Sequence, residues 1–359
     1  MIAQIIAACI RNRFLVLIIW GLVTAWGLYA TSNLPIDAIP DISDVQVIIF
    51  TDYPGQAPQV VEDQVTYPLT TAMLAVPYAK VVRGYSMFSL SLVYIIFEDG
   101  TDIYWARSRV LEYLNYIRGK LPPGVSPGLG PDATGVGWVY EYVLEDTTGQ
   151  HDLAQLRSIQ DWYLRYQLQT VPGVAEVASI GGFVKQYQVV VDPNKLAAYG
   201  IPLSRLKMAI TRSNQDVGGR LLEMAETEYM VRGLGYIKGI ADVEDIVVAT
   251  DGQGTPILIK NVAEVRLGPE LRRGLAESNG EGEVVGGIVV MRFGENAQAV
   301  INRVKQKLED LKSGLPPGVR VVMAYDRSTL IQRCLNTLKE ALTEEVLIVA
   351  LICGLFLLH

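Results

Sequence analysis

Residues 14–36 carry no charged side chain, and no other stretch limits the fold as strongly. As a helix this stretch reaches roughly 34 Å, enough to cross a hydrocarbon core of about 30 Å. Arg11 and Arg13 precede it, and Asp37, Asp41 and Asp44 follow. The positive-inside rule therefore places the N-terminus in the cytoplasm and the following residues across the membrane. The alternative is a cleaved signal peptide, whose apolar core runs about 7–15 residues. This stretch is longer, and Tyr29-Ala-Thr-Ser32 is a poor cleavage match. Ahead of it, Ile2, Ile5, Ile6, Cys9 and Ile10 share one helical face, which predicts an amphipathic helix over residues 1–13 on the inner leaflet.

A second apolar run, residues 346–358, ends at His359. Its helical rise of about 20 Å is too short to span. The expectation is the start of a second transmembrane helix over residues 337–359, in a chain that is the N-terminal part of a longer protein. A buried C-terminal helix is the alternative.

Between these ends the sequence reads as globular. With 359 residues, two or more compact units are expected. The net charge of -7 mixes acids and bases, so no nucleic-acid footprint is present. Cys9, Cys334 and Cys353 lie in or beside the apolar ends, which excludes a disulfide scaffold for the middle. His151 and His359 are the only histidines, and no zinc-type spacing or nucleophile–base arrangement stands out. The chain does not read as an enzyme.

The middle reads as two similar α/β units. In the first, strands near residues 45–51, 80–85 and 92–98 alternate with helices over 57–76 and 102–121. Pro58 suits the first turn, and Pro68 predicts a kink. The second helix carries Ile103, Ala106, Val110, Leu114, Ile117 and Leu121 on one stripe. The second unit repeats the order: strands 140–145, 175–180, 287–293 and 319–325, helices 152–170 and 296–315. Leu121-Pro-Pro-Gly-Val125 recurs as Leu315-Pro-Pro-Gly-Val319, and Val76-Pro-Tyr-Ala-Lys-Val-Val82 is echoed by Val171-Pro-Gly-Val-Ala-Glu-Val177. Two βαβ–βαβ units of this kind form split βαβ, ferredoxin-like sandwiches. The fold class is thus an α+β membrane protein: one transmembrane helix, two ferredoxin-like (βαββαβ) subdomains, an insert in the second, and a further transmembrane helix. The insert reads as strands at 186–191, 228–232, 244–249 and 256–259 with a helix over 203–212. Residues 213–230 look like a long exposed hairpin, of the kind that meets a partner.

Asp41-Ile-Ser-Asp-Val-Gln-Val47, Tyr53-Pro-Gly-Gln-Ala-Pro58, Phe97-Glu-Asp-Gly-Thr-Asp102, Trp105-Ala-Arg-Ser-Arg109, Gly130-Pro-Asp-Ala-Thr-Gly-Val-Gly-Trp138 and Asn279-Gly-Glu-Gly-Glu283 make the chain resemble the heavy-metal resistance–nodulation–division (RND) efflux permeases. The resemblance covers essentially the whole chain and is strongest to the copper/silver branch. It implies a proton-driven homotrimer in the bacterial inner membrane, with a periplasmic adaptor and an outer-membrane channel as partners. No cofactor is implied, only the transported metal ion and the proton gradient. Residues 37–135 would be a first periplasmic pore subdomain. Residues 136–181 with 287–330 would be a second. Residues 182–286 would be a docking subdomain whose hairpin, with Asn214, Gly218, Gly219 and Met224, reaches a neighbouring protomer. A divalent-cation (zinc, cobalt, cadmium) or organic-solute exporter of the same class, or a membrane-anchored periplasmic assembly protein, are the alternatives.

The resemblance assigns the proton relay and the main methionine metal site to parts of the family's length that are not in these residues. Arg83 corresponds to a position lining the foot of the periplasmic cleft and is the gating candidate. Met87 is the weak candidate for a thioether ligand, since soft sulfur suits Cu(I) and Ag(I). Met73, Met208, Met291 and Met323 are expected in the core. Asp37, Asp41 and Asp44 read as a polar exit from the membrane, and Asp132 as a turn residue. The resemblance departs at Leu271, where the copper/silver branch carries methionine.

Overall fold

The computed structural model describes residues 7, 9–32, 37–272 and 274–358. Residues 1–6 and 8 of the expected amphipathic helix, and 33–36 of the first apolar stretch, lie outside the described residues. The chain forms two compact units: Met1–Thr148 with Ile159–Ile180 and Gly286–His359, and Gly149–Ser158 with Gly181–Val285.

The first unit begins with the helix Arg13–Ser32. Its apolar side chains, Phe14, Leu17, Trp20 and Trp26 among them, are exposed. Strands β1 (Gln46–Asp52), β2 (Ala79–Met87), β3 (Leu90–Phe97) and β4 (Gly128–Leu129) follow, in the sheet order β2-β3-β1-β4. β1 runs antiparallel to β3 and to β4, and β2 antiparallel to β3. Alternate residues of β1 and β3 (Val47, Ile49, Val93, Ile95, Phe97) point into a core closed by Val65, Leu69 and Met73 from one helix and Ala106, Val110 and Leu114 from another. That second helix, Ile103–Arg118, starts where Asp102 accepts a hydrogen bond from the Trp105 amide at 2.7 Å. The expected stripe is its buried face.

At Pro68 the helix changes form. The α-helix Pro58–Val61 widens into a π turn, Glu62–Thr66, and resumes as Tyr67–Met73. A π turn relieves the clash of a proline ring with the carbonyl one turn back and absorbs its missing donor.

Strands β5 (Trp138–Asp146) and β6 (Val174–Gly181) open the second half. Between them the helical run Leu153–Ile159, Gln160–Leu164 (again a π turn) and Arg165–Gln169 carries buried Gln160, which accepts the Tyr142 hydroxyl hydrogen at 2.9 Å.

The second unit interrupts here. β7 (Lys185–Val191) pairs with β12 (Ala263–Pro269). β8 (Val217–Met224) and β9 (Thr227–Gly233) form a hairpin, and β10 (Val247–Thr250) pairs with β11 (Pro256–Leu258). Leu206, Val243, Ile259, Val262 and Val265 lie in this unit's core. Of the strand expected at 244–249, residues 247–249 are extended and Glu244 is helical. Asp242 accepts the amides of Lys238 and Gly239 at 2.7 and 3.2 Å, which starts the helix Ile240–Glu244, and extension begins only at Val247.

The first unit resumes with β13 (Val285–Met291), the helix Ala297–Leu311 and β14 (Val319–Asp326), in the order β14-β5-β13-β6. Counted within each half, both four-stranded sheets have the same order. The helix Arg327–Leu358 then runs without a break. It and Arg13–Thr31 are each long and apolar enough to cross a membrane.

Candidate functional site

Strand β2 is an edge of the first sheet, so its outer side chains meet little else. Arg83 and Met87 are both exposed and, four residues apart, lie on the same side of the strand. That side is the one the helices leave open. Arg83 stands opposite Tyr94, Tyr85 packs edge-on to Tyr94 at 5.4 Å, and Met87 stands opposite Leu90. Arg83 pairs with no carboxylate among the described residues. A free guanidinium and a 45 % exposed thioether thus share one partly aromatic face.

The other methionines divide differently from expectation. Met73 is fully buried in the first core. Met208 and Met323 are about half exposed. The helix Leu203–Ser213 buries only Leu206, and Met323 sits on edge strand β14, so neither side chain meets a core. Met291 is half-buried. No group of three His, Cys, Asp or Glu residues could hold a metal among the described residues.

The expected hairpin is present and projects fully: every residue of β8 and β9 is exposed, Leu221, Met224, Tyr229 and Met230 among them. Gly218 and Gly219 lie on β8. A Cβ on Gly219 would come within 2.7 Å of the Val231 carbonyl oxygen, so the strands cross closely there. Asn214 is not on the hairpin arm. It ends the helix Leu203–Ser213, where its Oδ1 accepts the Ile237 amide at 3.1 Å. Asp216 fixes the base, paired with Arg232 and accepting the Gly235 amide at 2.8 Å. The Gly235 amide first, and Arg232 after it, hold its carboxyl below the usual carboxylate range.

Sequence reading missed the polar junction at the start of the last helix. Arg327 is 3 % exposed, and its guanidinium donates to Asp37 Oδ2 at 3.0 Å and to the Val136 carbonyl at 2.6 Å. Asp326 accepts the Ser328 amide at 2.9 Å and so begins the helix, while Lys305 reaches its other oxygen at 2.5 Å. Burial pushes the Asp326 pKa up, but hydrogen bonds from Lys305 and Ser328 outweigh it and the net shift is downward. Asp41 accepts the Thr134 hydroxyl at 2.7 Å. Asp132 accepts the Tyr104 hydroxyl at 3.1 Å and lies 3.7 Å from Arg292. Of the expected polar exit, Asp37 and Asp41 thus make specific long-range contacts and line a recess of about 470 Å³, and Asp44 is exposed. Only the unusual density of Asp near residue 40 hinted at it.

The profile of the AcrB/AcrD/AcrF family matches residues 5–359. The chain is 60 % identical over 359 residues to the cation efflux system protein CusA of Escherichia coli K12, covering 100 % of the chain and 34 % of that protein. It is 58 % identical to the putative cation efflux system protein SilA of Salmonella typhimurium, with the same coverage. The cobalt-zinc-cadmium resistance protein CzcA of Cupriavidus metallidurans is 39 % identical over 364 residues, 99 % of the chain and 34 % of that protein. A crystal structure of a heavy metal efflux pump superposes with a TM-score of 0.88 at 34 % identity, covering 97 % of this chain and 35 % of that one. The chain thus spans about a third of the length of its relatives.

Proposed function

Because the chain belongs to the AcrB/AcrD/AcrF family, we propose that it is the N-terminal portion of a heavy-metal efflux permease of the RND class, exporting Cu(I) and Ag(I) against a proton gradient. One observation carries the choice of cargo. Identity is 60 % to CusA and 58 % to SilA across the whole chain, against 39 % to CzcA. Cu(I) and Ag(I) are soft ions that favour thioether sulfur, and divalent zinc favours imidazole and carboxylate. The chain offers eight methionines and two histidines, which suits the first pair.

The repeated sheet order supports reading residues 37–135, and 136–181 with 287–330, as two ferredoxin-like pore subdomains, and 182–286 as the docking subdomain. The exposed apolar hairpin suits an arm that inserts into a neighbouring copy of a homotrimer. The two long apolar helices suit anchorage in the inner membrane. Neither carries Asp, Glu or Lys in its apolar stretch, residues 14–32 or 346–358, so the proton relay belongs to other membrane helices. A periplasmic adaptor and an outer-membrane channel complete the transport path. Within it Arg83 gates the foot of the cleft, and Met87 offers a sulfur to a passing ion.

The test is a strain deleted for the full gene and challenged with silver, copper and zinc. Loss of silver and copper tolerance with zinc tolerance intact is expected, restored by the gene in trans. Unchanged tolerance to all three would refute metal export, and loss for zinc alone would move the chain to the divalent branch.

A further inference from the structure

We propose that the first half of the repeat carries a recess for an organic cation, a guanidinium or an ammonium group, beside the packed rings of Tyr78 and Trp105. The recess measures about 300 Å³ and is lined by Tyr78, Glu98, Asp99, Asp102 and Trp105, with the turn Gly100-Thr101. The two rings stand 5.3 Å apart at 57°. No Lys, Arg or His lines it. Aromatic faces flanked by carboxylates attract a diffuse, weakly hydrated cation through ring quadrupole and charge together. A metal ion would need carboxylates converging on one point, and no such group exists among the described residues.

The protein contains its own control. The second half has the same turns without the recess. There the Arg292 amide bonds the Gly173 carbonyl at 2.9 Å, as the Glu98 amide bonds the Tyr78 carbonyl at 3.0 Å. Asn296 caps the following helix as Asp102 does. Gly294 and Gly100 hold matching backbone angles, φ 81° and 84°. At these equivalent places Tyr78 becomes Gly173, Trp105 becomes Ala299, Glu98 becomes Arg292 and Asp99 becomes Phe293. The space beyond Gly173 is filled, since a Cβ there would lie 2.7 Å from Val300 and 3.0 Å from Glu295. The turn therefore forms without the rings and without Glu98 and Asp99, and only the capping role of Asp102 is kept, by the uncharged Asn296. Tyr78 also stands at φ 61°, a conformation that suits glycine, and glycine is what the other half uses. The ring is kept where the turn alone would favour its loss.

The experiment uses the intact protein in detergent, labelled with 5-fluorotryptophan, the Trp105 resonance being assigned with Trp105→Phe. N-butylguanidinium and butylammonium are titrated against neutral N-butylurea. A saturable shift with the cations and none with the urea is expected. Tyr78→Gly should weaken binding roughly tenfold without loss of fold, because glycine is at ease at that backbone angle. A photo-crosslinker at Thr101, tested in cells, separates the sources. An adduct on a peptide bearing Lys or Arg at the crosslink, abolished by Tyr78→Gly, identifies a partner's side chain. Saturable cation binding without an adduct identifies a free organic cation. Absence of both, equal binding of N-butylurea, or binding unchanged by Tyr78→Gly overturns the proposal.

Discussion

The guanidinium of Arg327 donates to the carboxylate of Asp37 at 3.0 Å, joining residues 290 positions apart. Asp37 lies just past the first apolar stretch, and Arg327 begins the last helix. One ion pair thus ties the start of the last helix to the residues that precede β1. Burial makes the pair asymmetric in its consequences. Removing Asp37 strands the buried guanidinium and costs about 3–5 kcal/mol, whereas removing Arg327 leaves a carboxylate that water reaches and costs less. Asp37→Ala should lower the melting temperature in detergent markedly, and adding Arg327→Met should recover most of the loss. Additive losses in that cycle would show that the pair does not act as a unit.

Asp326 sets a pH response at the same junction. Its pKa is lowered in the folded protein by Lys305 and Ser328, despite the upward push of burial. A carboxylate depressed on folding stabilises above its unfolded value of about 4, and that stability is lost as pH falls through the folded value. Melting measured from neutral pH downward should show an acid-side loss that Asp326→Asn shrinks. The variant should also be less stable at pH 7, because its amide keeps the helix cap and loses the pair with Lys305. An identical acid limb in both proteins would place the titration elsewhere.

The sequence carried most of the architecture because hydrophobic period and turn chemistry act locally. The stripe from Ile103 to Ile117, and the twin Leu-Pro-Pro-Gly-Val motifs after each second helix, could be read without coordinates. Arg83 and Met87 could be named, but their sharing of an open face depends on β2 being an edge strand, which pairing decides. The junction of Asp37 with Arg327 could not be read at all, since nothing local in an Asp after an apolar run specifies a partner so distant in sequence. The strand expected at 244–249, which starts only at Val247, shows the converse. Its β-branched residues gave the right signal, but the helix that Asp242 caps runs on to Glu244 and delays extension to Val247.

The β8–β9 hairpin turns on Ala225 and Glu226, both with left-handed backbone, φ 51° and 65°. Such a turn favours Asn-Gly. Replacing the two residues by Asn and Gly should stabilise the hairpin by about 0.5–1 kcal/mol, read as slower amide exchange along Thr227–Gly233. Because every side chain of the arm is exposed, replacing the arm with a short Gly-Ser loop should leave the melting of the second unit unchanged while abolishing the proposed trimer in light scattering. A trimer that survives the exchange would remove the arm from assembly.

Arg83 and Met87 allow transport to be separated from stability. Both are exposed on the open side of an edge strand, and surface truncations of this kind usually change stability by less than about 0.5 kcal/mol. Met87→Ala should therefore melt as the parent does while lowering silver tolerance, and Met87→Leu, which restores bulk without sulfur, should be no better. A thioether acting as ligand predicts that order; a packing role predicts rescue by Leu. In the proposed gating role, Arg83→Ala should slow export of both ions alike, since such a charge acts on the cleft and not on the cargo, and Arg83→Lys should restore part of the rate. Full tolerance in both alanine variants would take the open face of β2 out of the transport path.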